Sequence, residues 1–111
     1  MTPSDAKRSG NFEAKVLDTV KTVLIEIFEK KSTETTFRIL KENYGLEGKD
    51  ISKKPHVFSQ ALVRLFGKGA VILEDLILEK LYASCQRDFN WKESYQFGNY
   101  IEDLTQISAI T

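Results

Sequence analysis

The sequence predicts an all-α domain, a compact bundle of about five helices, on three observations. Apolar residues recur at three- and four-residue steps along most of the chain, the spacing of one helical face. Helix-ending and helix-starting residues, namely Gly45, Pro55 and the Gly67-Lys68-Gly69 run, fall between those stripes. The length of 111 residues, 41% of them hydrophobic, suits one domain with a core of its own.

Residues 1–10 are small and polar and read as a flexible lead-in to a single helical domain over 11–111. The first helix is expected from about Asn11 to Lys31. Phe12, Val16, Val20, Val23, Leu24, Ile27 and Phe28 form its stripe, widened by Leu17 and Ile25. Asn11 offers a cap, and Lys30-Lys31 suits the negative end of the helix dipole. A second helix is expected just after Ser32 or Thr33, whose hydroxyls can accept from first-turn amides. Phe37, Leu40 and Tyr44 face its interior, and Gly45 supplies the left-handed residue that ends many helices.

From Leu46 to Lys54 the period is lost, and Leu46 and Ile51 read as apolar pins of a loop. Pro55 fits the first position of a third helix, where its missing amide hydrogen costs nothing. Phe58, Ala61, Leu62, Leu65 and Phe66 give that helix its stripe. Gly67 to Gly69 then starts a fourth helix, Ala70 to about Gln86. Ile72, Leu73, Leu76, Ile77, Leu78, Leu81 and Tyr82 exceed one stripe, so this helix is expected to be central and contacted on two sides. A fifth helix is expected from Trp91 to about Ser108, because Asn90 and Glu93 have capping-box spacing and Phe97, Ile101, Leu104 and Ile107 are helically spaced.

Composition narrows the function. Sixteen Lys and Arg balance sixteen Asp and Glu, which removes the large positive charge that argues for nucleic-acid binding. Cys85 is the only cysteine, so no intramolecular disulfide forms and a reducing cytoplasm is expected. The longest uncharged stretches are about eight residues, His56 to Val63 and Ser94 to Ile101, against the ~18–20 needed to cross a bilayer. Met1 to Asn11 has no apolar core and does not read as a signal peptide.

Candidate chemistry is sparse. With one His and one Cys, zinc sites built on His and Cys ligands are excluded, and spacing fixes no nucleophile or acid beside His56. Cys85 lacks the helix N-terminal setting that activates thiols. Phe66-Gly67-Lys68-Gly69 lacks the spacing of a phosphate loop and reads as an interhelical turn. Glu74, Asp75, Glu79, Glu102 and Asp103 lack the Glu-x-x-His partner of di-metal bundles and read as solvated helix faces. The expectation is no catalytic residue, no cofactor and no metal.

Two distributions are more informative. Residues 1–68 hold thirteen basic and nine acidic side chains, +4, whereas residues 69–111 hold three and seven, −4. Such a dipolar chain can steer a partner or pair with a copy of itself. Lys49, Lys53, Lys54, Arg64 and Lys68 form a candidate basic patch around the third helix, the basis of an alternative reading as a DNA-binding regulatory protein. Phe89, Trp91, Tyr95, Phe97 and Tyr100 place five aromatic residues within twelve positions. Large aromatics dominate both cores and interface hot spots, and Trp91, Tyr95, Phe97 and Tyr100 are the candidate interaction residues.

Tyr44-Gly45-Leu46, Asp50-Ile51, Pro55, Phe58, Leu62, Phe66-Gly67, Gly69-Ala70, Leu73-Glu74 and Leu81-Tyr82 resemble the Nitrosopumilus output domains, small helical modules of ammonia-oxidising archaea. The resemblance spans roughly residues 20–84 and consists of packing and turn residues, so the aromatic segment after Ser84 lies outside it. It implies an output or interaction role in an archaeal cytoplasm, with no established enzymatic activity to transfer. These readings together predict a non-enzymatic regulatory or protein-interaction module that self-associates through its C-terminal segment.

Overall fold

The computed structural model describes residues 3–110, with side chains described over 12–107. Four helices and one short 3-10 turn make up the regular structure, and no strand occurs among the described residues. The helices are α1 (Pro3–Tyr44), α2 (Pro55–Phe66), α3 (Gly69–Ser84) and α4 (Phe97–Ile110). The all-α expectation holds. Helix α1 unites the two helices expected on either side of Ser32, and it is broken inside at Glu29, where φ is 70° and ψ is 169°.

The first half of α1 buries Phe12, Val16, Val20, Val23 and Leu24. It begins at Pro3, so Asn11 lies within the helix and does not cap it. Ile25 and Ile27 leave the expected stripe and are exposed, just ahead of the break at Glu29. Thr33 is buried one turn into the second half and does not cap it. Its hydroxyl donates back to the Glu29 carbonyl at 2.8 Å, and Thr36 donates likewise to Ser32 at 3.0 Å. Such i−4 bonds let buried threonines satisfy their hydroxyls within the helix itself.

The end of α1 follows the sequence closely. Gly45 has φ 65°, its N–H donates to Lys41 O, and the N–H of Leu46 donates to Leu40 O. That pair of bonds satisfies the last carbonyls and sends Leu46 into the core, where Ile51 joins it. Pro55 begins α2, which buries Phe58, Ala61 and Leu62. Gly67 (φ 57°) turns the chain into α3.

Helix α3 packs against α1, α2 and α4, the central position its excess of apolar residues predicts. It buries Ala70, Leu73, Ile77, Leu78, Leu81 and Tyr82, whereas Ile72 in its first turn is exposed. It stops at Ser84, two residues before the expected end, and Gln86 takes the left-handed conformation (φ 58°). The N–H of Arg87 then donates to Tyr82 O at 3.0 Å.

The fifth helix starts later than expected. Residues 87–92 have no regular structure, and α4 begins at Phe97, not at Trp91. Asn90 and Glu93 do not form the cap. Instead the N–H of Gln96 donates to Asn99 Oδ1 at 2.8 Å. Tyr100 is the reason. Its phenol oxygen accepts from the Lys92 N–H at 2.7 Å, and the rings of Phe89, Trp91 and Tyr95 meet its ring edge-on at 5.2, 5.8 and 5.0 Å. A helix continued back to Trp91 would hold that ring about 13 Å from Tyr100 along the axis, so the cluster forms only if the segment folds back.

Candidate functional site

Where the folded-back segment meets α2 and α3, an open groove of about 710 Å³ forms. Ser59, Gln60, Val63 and Arg64 of α2 line one side, and Val71, Glu74, Asp75 and Leu78 of α3 the floor. Trp91, Tyr95, Gln96, Phe97 and Tyr100 line the other side. Helical spacing explains both helical walls: Ser59, Val63 and Val71, Glu74, Leu78 each follow three- and four-residue steps.

The structure splits the four candidate aromatic residues. Phe97 and Tyr100 are 5% and 2% exposed and belong to the core; Phe97 packs on Phe58 at 5.7 Å. That corrects the expectation that all four present an interaction surface. Trp91 and Tyr95 are 60% and 36% exposed, held in place by Tyr100 beneath them. Lys92 lies over the Tyr95 ring at 4.7 Å and pairs with Asp103 at 3.5 Å, which fixes Tyr95 further. Seven large apolar side chains are exposed among the described residues. Four of them, Val63, Val71, Trp91 and Tyr95, line this one groove, so its apolar exposure is concentrated and not scattered.

The groove also holds charge. The Ser59 hydroxyl donates to Glu74 Oε2. Burial pushes the Glu74 carboxyl above its ordinary value, the Ser59 bond opposes that rise, and Asp75 beside it adds to it. Asp75 is raised too, by burial first and by Glu79 second. Among the described residues neither carboxylate has a cationic partner, although Arg64 lines the same groove, and Arg64 makes no ion pair either. Beneath the groove, Tyr82 donates to Tyr100 O at 3.2 Å, and its hydroxyl is pushed up to about 12 by burial, then by Asp103.

The candidate basic residues do not form one uncommitted patch. Lys49 pairs with Glu47 at 3.7 Å and Lys53 with Glu13 at 3.4 Å. Lys54 and Lys68 flank the starts of α2 and α3, and Arg64 turns into the acid-bearing groove, about 15 Å along α2 from Lys54. No group of three or more His, Cys, Asp or Glu side chains among the described residues is placed to hold a metal ion. Cys85 is half-buried against the core.

His56 gains a neighbour that spacing did not reveal. Its Nε2 stands 3.6 Å from Glu102 Oε2, and its ring lies where a Cβ on Gly98 would be, within 2.6 Å. The glycine lets α4 approach α2, and the exposed pair spans the two helices. Sequence reading missed this contact, the Ser59–Glu74 bond and the placement of Arg64 and Asp75 in one groove, because each involves residues on different helices. The isolated Gly98 near the start of a helical stripe was the one available signal.

No helix among the described residues is long and apolar enough to cross a membrane. Comparison with known proteins adds no relative, since no family model, curated protein or solved structure matches the chain.

Proposed function

We propose that this chain is a non-enzymatic regulatory or protein-interaction module that self-associates through its C-terminal segment, with Trp91 and Tyr95 as the contact residues. The observation that carries this reading is the concentration of exposed apolar side chains in the groove between α2, α3 and residues 91–100. Exposed Trp and Tyr on a rigid base are the residue types that dominate interface energetics, since they bury much area with little entropy lost. The base here is built: Tyr100 is anchored by hydrogen bonds to Lys92 and Tyr82 and by ring contacts on three sides. An output role in an archaeal cytoplasm, as the Nitrosopumilus resemblance implies, is compatible with such a docking module.

Size-exclusion chromatography with light scattering at high micromolar concentration tests it. The unaltered chain is expected to associate, and Trp91→Ala with Tyr95→Ala to be monomeric. Because Trp91 also touches Phe89 and Tyr100, Val63→Ser with Val71→Ser provides a second variant that leaves the aromatic cluster intact. A strictly monomeric unaltered chain, or association unchanged in both variants, overturns the reading.

A further inference from the structure

The groove carries both halves of an ion pair that it does not make with itself. Arg64 on α2 and the adjacent acids Glu74 and Asp75 on α3 face the same open volume, and none of the three has an ion-pair partner among the described residues. Glu74 has Ser59 as a hydrogen-bond donor, which leaves Asp75 as the uncommitted acid. Around these charges stand the exposed Val63, Val71, Trp91 and Tyr95.

A foreign partner would need a complementary arrangement of its own. A second copy already has it. When two identical surfaces meet about a two-fold axis, each residue i opposite a residue j is matched by j opposite i, so one favourable pair becomes two. The formal charge of the whole chain is zero, so two copies approach without net repulsion. We infer that the α2–α3 groove is the interface of a two-fold symmetric dimer in which Arg64 of each copy meets the Glu74–Asp75 acids of the other, with Val63, Val71 and Trp91 packed at its centre. This rests on the docking reading above and adds to it the partner, the symmetry and the charge register.

The pairing makes a specific demand on charge reversals. Arg64→Glu places acid against acid in a symmetric pair, and Asp75→Arg places cation against cation, so each chain alone is expected to be monomeric. Mixed one to one, the two variants restore both opposite-charge contacts, and a dimer is expected to return. Sedimentation velocity on each variant, on the mixture and on the unaltered chain reads all four states, with far-ultraviolet circular dichroism to confirm that the substitutions at exposed Arg64 and half-buried Asp75 leave the helices intact. Raised salt is expected to weaken the unaltered dimer, since rim charges are screened. A dimer that survives both single reversals, or variants that are monomeric alone and stay so when mixed, overturns the charge register. If in that case Val63→Ser with Val71→Ser still abolishes association, the apolar docking reading stands without it. An unaltered chain that is monomeric at high micromolar concentration overturns both.

Discussion

The helical path breaks after Phe28 and again after Phe66, and the two corners reach the same backbone sign by different means. Gly67 has φ 57°, and a Cβ built there would meet nothing within 4 Å, so its glycine is required by backbone conformation alone. Glu29 has φ 70° with a full side chain, in a region that only glycine occupies freely. What the corners share is tertiary. The Phe28 and Phe66 rings stack on each other, 5.0 Å between centroids and 9° between planes. One corner is set by its own residue; the other is held by what its neighbour packs against.

Removing the shared contact is the most disruptive way to break this comparison. Phe28→Ala is expected to cost about 2–3 kcal/mol in urea denaturation, less than a fully buried ring because Phe28 is half-buried. Repeated in a Glu29→Gly background, the same change should cost about 0.5–1 kcal/mol less, because a glycine corner has less strain for the stack to overcome. Equal costs in both backgrounds would show that the stack does not hold the Glu29 corner.

The corners themselves should respond with opposite signs. Gly67→Ala is expected to destabilise by about 1–2 kcal/mol through backbone strain alone, since no steric clash awaits the methyl group. Glu29→Gly is expected to stabilise by about 1 kcal/mol, the relieved strain being partly offset by the extra freedom of glycine in the unfolded chain. Thermal melts of the two variants side by side check both, and a loss of stability in Glu29→Gly would remove the strain argument.

The smallest effect extends the contrast to charge. Glu74 is raised by burial, so between its ordinary value of 4.5 and its folded value the native state binds more protons than the unfolded one. Stability contributed by that proton is therefore fully present below 4.5 and is lost as pH rises through the folded value. Glu74→Gln can still accept from Ser59 and carries no charge, so it should be slightly more stable than the unaltered chain at neutral pH. The difference should vanish in acid. Melting temperatures against pH read this directly, and an acid-independent difference would assign the effect to packing.

How much of the fold could be read in advance follows from where each cause lies. Gly45, Pro55 and Gly67 act on their own backbone, and the structure places all three where the sequence does. The later start of α4 was hidden because Asn90 and Glu93 have cap spacing, yet a more distant partner, the Tyr100 hydroxyl, takes the Lys92 N–H. The sequence places the break in α1 at the polar Ser32-Thr33 pair, whereas it falls at Glu29, whose own residue type favours a helix. The aromatic segment was legible as important but not as divided, since the burial of Phe97 and Tyr100 and the exposure of Trp91 and Tyr95 depend on which side of Tyr100 each ring meets.

Periodicity, proline and glycine act within a few residues, so residue order alone sets that the backbone coils, that helices end at Gly45 and Gly67, and which faces mostly turn inward. That Arg64, Asp75 and Trp91 share one groove, and that a glutamate bears a corner, follows from packing. Those outcomes depend on contacts between residues tens of positions apart, whose energies exist only once the helices have packed.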